Sequence, residues 1–198
     1  MANELLDQLY DPPAEAITRG VLDHLVPFHI EYLSAATFFC FATGRPHGLD
    51  VSPRGGPPGF VRVIDAKTVA FADFPGNNRI ESMRNLVEDP RAGMLFIFPG
   101  LEIFMRINGR ARISTDPELL AQLAEGGRAP KTAIVMAIDE VLFHCGKAIN
   151  RARLWDSRID RRTLPTVGQM KRSFTNGSDE DARRMDAEYE QGVKTKLY

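Results

Sequence analysis

The sequence has little net charge, few cysteines and no long apolar run. Its 25 lysines and arginines nearly balance 26 aspartates and glutamates, so charge gives no reason to expect nucleic-acid or membrane binding. The longest apolar stretches, such as residues 35–42 and 94–98, are too short to span a bilayer. Residues 1–11 lack the basic start and apolar run of a secretory signal, so we expect a cytoplasmic protein with Cys40 and Cys145 reduced.

Signatures of metal binding and nucleophilic catalysis are also missing. His24, His29 and His47 are scattered without ligand spacing, and His144 and Cys145 would point to opposite faces of one strand, so we predict no metal site. The sequence has no Walker loop, Rossmann fingerprint or nucleophile elbow. No nucleophile–base pair is evident either, so we assign no catalytic residue. An enzyme with this sequence would depend on a cofactor for its chemistry.

The hydrophobic fraction of 43% and charged fraction of 26% are typical of a globular protein. We expect a single domain over residues 1–198, with a helical N-terminal extension at 1–34 and a C-terminal extension at 156–198. Asp11 is expected to cap a first helix with Pro12 in its first position, and a second short helix is expected through Tyr32 and Leu33.

Beyond residue 36 the pattern indicates strands joined by turns and short helices. The absence of βα alternation favours an α+β chain with a roughly six-stranded antiparallel barrel and peripheral helices. A helix is predicted from Asn78 to Asp89, with Ile80, Met83 and Val87 on its inner side. The segments with strand character are residues 37–43, which we expect to be buried on both faces, 49–52, 60–64, 68–71, 92–98, 103–113 and 133–145.

The first segment that suggests a ligand is the loop of residues 52–60, Ser-Pro-Arg-Gly-Gly-Pro-Pro-Gly-Phe. Prolines stiffen it, and glycines allow a ligand close to its backbone. Ser52 and Arg54 lie two residues apart on extended chain, so they point the same way and suit a phosphate. The alternative is a surface loop with a solvated arginine.

The second segment runs from Asp73 to Arg79. We expect Asn78 to be the N-cap of a helix, with Glu81 completing a capping box. Arg79 in the first turn would then add a cation to a helix N-terminus, which is a ready anion site. The alternative is an ordinary capped surface helix.

The third segment is residues 144–148, followed by Arg151 and Trp155. Lys147 and Arg151 are four residues apart and share one face of a helix. That face is either solvated or a cationic wall for a ligand. Trp155 either stacks on an aromatic ligand or packs into a core.

Taken in order, these segments resemble the flavin-binding split barrels of the pyridoxamine 5'-phosphate oxidase-like family. The resemblance covers roughly residues 35–155. The segments that carry it are residues 52–55, 75–79, 85–96, 107–111 and 144–151.

The resemblance implies a split barrel that forms a two-fold dimer, with FMN at the interface. Arg62 stands where the family commonly has a basic residue facing the flavin. Asn78 and Arg79 match its phosphate-binding basic pair, although the oxidase has arginine in place of Asn78. Phe104 replaces an amide side chain near the ring, and the oxidase's C-terminal signature for pyridoxal phosphate is missing. The resemblance therefore does not imply vitamin B6 oxidation.

The expected function is that of an FMN-dependent oxidoreductase, which transfers hydride between the flavin and an unidentified small molecule. Alternatives are a non-catalytic flavin carrier, or a split barrel that binds haem or the deazaflavin F420.

We expect a homodimer with shared sites, because Arg106 and Arg110 on one strand face are costly unless paired or placed at an interface. The candidate cofactor-binding residues are Ser52, Arg54, Arg62, Asp73, Asn78, Arg79, Arg106, Lys147, Arg151 and Trp155.

Overall fold

Seven antiparallel strands form one sheet in the computed structural model, which describes residues 2–45, 48–74, 76, 78–156, 158–195 and 197. The strands are β1 (Phe38–Arg45), β2 (Gly48–Gly55), β3 (Val61–Asp65), β4 (Thr68–Asp73), β5 (Arg91–Ile97), β6 (Ile103–Ser114) and β7 (Thr132–Cys145). Their order across the sheet is β2-β1-β5-β6-β7-β4-β3. The α+β class and the antiparallel split barrel are thus confirmed. The sheet has one strand more than the rough count of six, and it is not closed.

The sheet's inner face carries a core rich in phenylalanine. The ring of Phe39 lies 5.1 Å from that of Phe96 and 5.0 Å from that of Phe71, measured between centroids. Strand β1 was expected to be buried on both faces, and this expectation is wrong for the isolated chain. Its inward residues are buried, whereas Phe38 and Cys40 on the other face are only partly covered.

Eight helices in the described part of the chain surround the sheet. They are α1 (Ala2–Leu9), α2 (Glu15–Arg19), α3 (Pro27–Ala35), α4 (Glu81–Glu88), α5 (Pro117–Gln122), α6 (Lys147–Ala152), α7 (Val167–Thr175) and α8 (Asp179–Thr195). No helix among the described residues is long and apolar enough to cross a membrane. Helix α3 begins at Pro27 and includes Tyr32 and Leu33, as predicted.

The predicted start of the first helix is wrong. Pro12 lies outside helical structure, and α2 begins only at Glu15, after Ala14. Pro46 and His47, between β1 and β2, lie outside the described residues. The hairpin of β3 and β4 and the Asp116 cap of α5 agree with the sequence pattern.

Helix α4 differs most from its prediction. It begins at Glu81 and not at Asn78, because Asn78 adopts the left-handed conformation (φ 61°), whereas an N-cap is extended. The predicted capping box is therefore absent. Its inner side agrees only in part with the prediction: Met83 packs against the core, but Val87 is 79% exposed. The buried residues of α4 are Ser82, Asn85 and Leu86.

The polar inner side of α4 is possible because the strands beneath it supply hydrogen-bond partners. Asn85 Nδ2 donates to Thr43 Oγ1 at 3.0 Å, and Ser82 Oγ donates to Asp50 Oδ2 at 2.6 Å. Bonds of this kind offset the cost of removing polar groups from water. We call the buried residues Thr43, Ser82 and Asn85 the polar seam.

Candidate functional site

A chain of side-chain hydrogen bonds joins β2 to α4. Arg54 NH1 donates to Ser52 Oγ at 2.9 Å, Ser52 Oγ lies 3.0 Å from Ser82 Oγ, and Ser82 Oγ lies 2.6 Å from Asp50 Oδ2. Alternation along β2 places Asp50, Ser52 and Arg54 on the same side of the strand. We call these four residues the relay.

The direction of the relay follows from its ends. The guanidinium of Arg54 can only donate, and the carboxylate of Asp50 can only accept. Ser82 uses its single hydroxyl hydrogen in the hydrogen bond to Asp50. Ser52 must therefore be the donor in the hydrogen bond between the two serines. Each hydroxyl of the relay therefore both accepts and donates, and its four side chains are mutually oriented.

Arg54 is partly buried at one end of the relay, where its guanidinium lies 5.9 Å from the ring centroid of Phe41. Burial lowers the pKa of its guanidinium, while the charges of Asp73 and Asp50 act to raise it. Burial also raises the pKa of Asp73, opposed by Arg54 and Lys131. The Nε of Arg54 is buried without a hydrogen-bond partner. Arg54 thus retains an N–H group that no atom of the described residues accepts.

Arg79 meets the relay at a cavity of about 370 Å³. Its side chain is 74% exposed, and its Nε lies 3.4 Å from Glu81 Oε1. The first two sequence segments therefore converge, as expected for one binding site. Arg79 precedes α4, however, and does not lie in its first turn as predicted. The residues that line the cavity are Asp50, Val51, Ser52, Pro53, Arg54, Arg79, Glu81 and Ser82.

Two residues of the second segment, Pro75 and Asn77, lie outside the described residues. Asp73 ends β4 and interacts electrostatically with Arg54, so it joins the cluster that contains the relay. Asn78 is exposed next to Arg79, in the left-handed conformation that asparagine tolerates better than most residues.

Arg62 occupies a different place from Arg54. It is exposed on β3 and lines a cavity of about 270 Å³, together with Phe60 and the residues that follow α5. Its β4 partner Ala70 packs against Leu123, next to α5. Arg62 is therefore on the sheet face opposite to that of the phenylalanine core.

Arg106 lies on β6, on the same strand face as Phe104 and Asn108. Its NH2 is 3.9 Å from Glu140 Oε1, a carboxylate oxygen that also accepts a 2.5 Å hydrogen bond from Asn108. The Nε of Arg106 is buried, and no residue that the structure describes accepts a hydrogen bond from it. Burial, and then the charge of Arg106, lowers the pKa of His144 on the neighbouring strand, which favours a neutral imidazole.

Within the third segment, Lys147 and Arg151 lie on α6 and both are exposed. Trp155 is 38% exposed, and its Nε1 donates to the carbonyl oxygen of Leu101 at 3.0 Å. Trp155 therefore does not lie in the core. Among the described residues, no hydrogen bond or ion pair links Lys147 or Arg151 to the relay.

Sequence reasoning missed Asp50 and Ser82. The signal for Asp50 was its alternation with Ser52 and Arg54, which places all three on one side of an extended strand. Ser82 had no comparable signal, because its partners lie 30 and 32 positions away along the chain.

A search with protein-family models matches residues 26–145 to the pyridoxamine 5'-phosphate oxidase family. The match spans more than half of the chain, and the structure has the antiparallel split barrel that the resemblance implied. The protein belongs to the pyridoxamine 5'-phosphate oxidase family.

Solved structures with a similar fold are distant in sequence. HupZ from Group A Streptococcus is 17% identical, with a TM-score of 0.47 over 59% of this chain and 92% of that one. General stress protein 26 from Bacillus anthracis is 11% identical, with a TM-score of 0.47 over 58% and 88%. An FAD-binding protein from Mycobacterium smegmatis is 13% identical, with a TM-score of 0.42 over 62% and 97%. A search of curated proteins gives no match.

Proposed function

We propose that the protein binds FMN and acts as an oxidoreductase on an unidentified small molecule. Family membership supports a flavin-related function. The observation that carries the finer proposal is the convergence of Ser52, Arg54 and Arg79 on one cavity. Two guanidinium groups suit a phosphate, and FMN differs from riboflavin by that group.

The charges at the cavity test whether a phosphate fits there. Asp50 and Glu81 line it with Arg54 and Arg79, so the formal charges balance. Asp50 already accepts a hydrogen bond from Ser82, and the buried Nε of Arg54 has no acceptor among the described residues. Arg79 is largely exposed, and its bond to Glu81 is long. The site can therefore supply Arg79 as the main cation and Arg54 as a second one, while Ser52, whose hydroxyl proton is directed to Ser82, accepts a hydrogen bond from Arg54 and so orients it.

The flavin ring, when bound, supplies hydride transfer. The protein's part is to orient the ring and to place positive charge near the edge where negative charge develops on reduction. Arg62, Arg106, Lys147 and Arg151 are the candidate cations, and Trp155 offers a half-exposed ring for stacking. The unpartnered Nε of Arg106 makes it the strongest of these candidates, because a buried N–H without an acceptor is costly.

We further propose a homodimer in which both subunits build each cofactor site. Arg106 and Glu140 form a long ion pair on a half-covered sheet face, and a second subunit or a cofactor would supply the missing acceptor. Light scattering on the flavin-bound protein tests this proposal. The expected mass is that of a dimer, whereas a monomer that binds flavin would contradict the shared site.

The cofactor itself is tested by purification and reconstitution with FMN. The protein should carry non-covalent flavin, and acid precipitation should release a compound that co-migrates with FMN. If the protein is colourless, added FMN should lose its fluorescence on binding. A colourless protein that leaves the fluorescence of FMN unchanged would contradict the proposed function.

A further inference from the structure

The relay contains two residues to which the proposed function gives no role, Asp50 and Ser82. Ser82 is only 5% exposed, yet its hydroxyl contacts three polar side chains of β2. Two of these contacts lie at 3.0 and 2.6 Å, and the third, from Arg54 NH2, is 3.4 Å. Such a bonded cluster specifies one arrangement of α4 on β2, because the hydroxyl groups of Ser52 and Ser82 each have a defined acceptor.

The position of Ser82 along the chain connects the relay to Arg79. Helix α4 begins at Glu81, so Ser82 is in its first turn, and Arg79 lies three residues before Ser82. A shift of the helix start against β2 would therefore move Arg79 as well. Arg54, the other cation at the cavity, is itself a member of the relay. One set of hydrogen bonds thus orients Arg54 directly and fixes the start of the helix that follows Arg79 in the chain.

The geometry points to Ser82 and Asp50 as positioning residues that hold Arg54 and Arg79 in register for the cofactor phosphate. This inference rests on the proposed function. Neither residue needs to touch the phosphate, because Ser82 fixes the start of α4 and Asp50 fixes Ser82. The two residues act through the arginines, and their loss should weaken the binding of FMN but not of riboflavin.

Helix α4 offers a matched control for Ser82. Asn85 lies on the same helix, is 2% exposed, and donates one hydrogen bond to Thr43 at 3.0 Å. Ser82→Ala and Asn85→Ala each remove a buried polar contact from α4, but only the first interrupts the relay. We expect Ser82→Ala to weaken FMN binding about tenfold, and Asn85→Ala to leave the FMN affinity within about twofold of wild type.

Asp50→Asn distinguishes a positioning role from a simple charge effect, because the two predict opposite changes in the FMN affinity. It keeps the size of the side chain and removes a negative charge that lines the cavity. Charge alone predicts tighter FMN binding, because a carboxylate near a phosphate is repulsive. Positioning predicts weaker binding, because Ser82 loses its charged acceptor.

The experiment is a fluorescence titration of FMN and riboflavin against the wild type and the three variants, with melting temperatures to verify folding. Selective loss of FMN affinity in Ser82→Ala and Asp50→Asn, but not in Asn85→Ala, supports the inference. Equal loss in Ser82→Ala and Asn85→Ala, or tighter FMN binding by Asp50→Asn, overturns it while the proposed function stands. A wild type that binds neither flavin overturns the proposed function, and this inference with it.

Discussion

The phenylalanine core and the polar seam lie side by side inside the same barrel and are held by different forces. In the core, the rings of Phe39, Phe71 and Phe96 pack at centroid distances of 5.0–5.1 Å, without hydrogen-bonding groups. In the seam, Ser82 and Asn85 are equally buried but are held by hydrogen bonds to β1 and β2. Apolar burial is non-directional, whereas each bond of the seam has a required geometry.

This difference assigns separate tasks to the two regions. The core supplies most of the stability, because aromatic side chains bury the largest apolar areas. The seam and the relay contribute less net free energy per residue, because their hydrogen bonds to protein replace hydrogen bonds to water. They specify instead where α4 and the cavity lie relative to β2.

The largest expected loss of stability comes from a substitution in the phenylalanine core. Phe39→Ala should lower the free energy of unfolding by about 3–5 kcal/mol, because it removes a ring that contacts Phe41, Phe60, Phe71 and Phe96. Phe38→Ala, on the half-covered face of β1, is the control and should cost less. Urea denaturation measures both, and equal losses would contradict the assignment of the two faces.

The inner side of α4 gives the next comparison. Leu86 is buried and Val87 is exposed, although the sequence pattern placed Val87 inside. Leu86→Ala should lower the free energy of unfolding by about 2–5 kcal/mol, whereas Val87→Ala should change it by less than about 0.5 kcal/mol. Thermal denaturation of the two variants provides the measurement. The reverse order would restore the original prediction for α4.

A smaller, pH-dependent effect is expected at His29. Its ring is 1% exposed, stacks on Phe143 at a centroid distance of 5.3 Å, and accepts a hydrogen bond from the Val26 N–H at Nδ1. Burial lowers the pKa of His29 below its usual 6.5. The unfolded chain therefore takes up a proton first as pH falls, and this contribution to stability is present above pH 6.5 and lost below it.

His29→Asn tests this pH dependence, because asparagine retains an acceptor for Val26 but does not titrate. Urea denaturation of the variant between pH 7.5 and 5, a range of about one unit or more on either side of the ordinary histidine value, should show a shallower decline than the wild type. His24→Asn removes an exposed histidine whose charge adds to the lowering of the His29 pKa, and it should flatten the decline less than His29→Asn does. Parallel declines in the wild type and His29→Asn would exclude His29 as the titrating group.

The strands were predictable because apolar and polar residues alternate along a strand whose sheet is covered mainly on one side. Residues 103–113 alternate between apolar and polar, and β6 buries Met105 and Ile107 while Arg110 and Arg112 remain exposed. The seam was not predictable by the same rule. From the sequence alone, Ser82 and Asn85 would be assigned to the solvent-facing side of the helix. In the fold they are buried, because Asp50 on β2 and Thr43 on β1 form hydrogen bonds with them.

Some features of the candidate site were likewise predictable from the sequence, and others were not. The convergence of Ser52 and Arg54 with Arg79 was anticipated, because two segments of phosphate-binding character suggested one ligand. The start of α4 was not, because local sequence favoured Asn78 as a cap, whereas the relay fixes Ser82 in the first turn. Long-range contacts of this kind leave no local signal.

The most direct test of the account is the discrimination between FMN and riboflavin by Arg79→Ala. If Arg79 binds the phosphate, the variant should lose about tenfold to a hundredfold in FMN affinity, with riboflavin binding nearly unchanged. Arg54→Ala should follow the same pattern. Arg162→Ala, which removes an exposed arginine outside the family match, is the control and should bind both flavins like the wild type. Wild-type FMN affinity in both Arg79→Ala and Arg54→Ala would contradict the assignment of this cavity as the phosphate site.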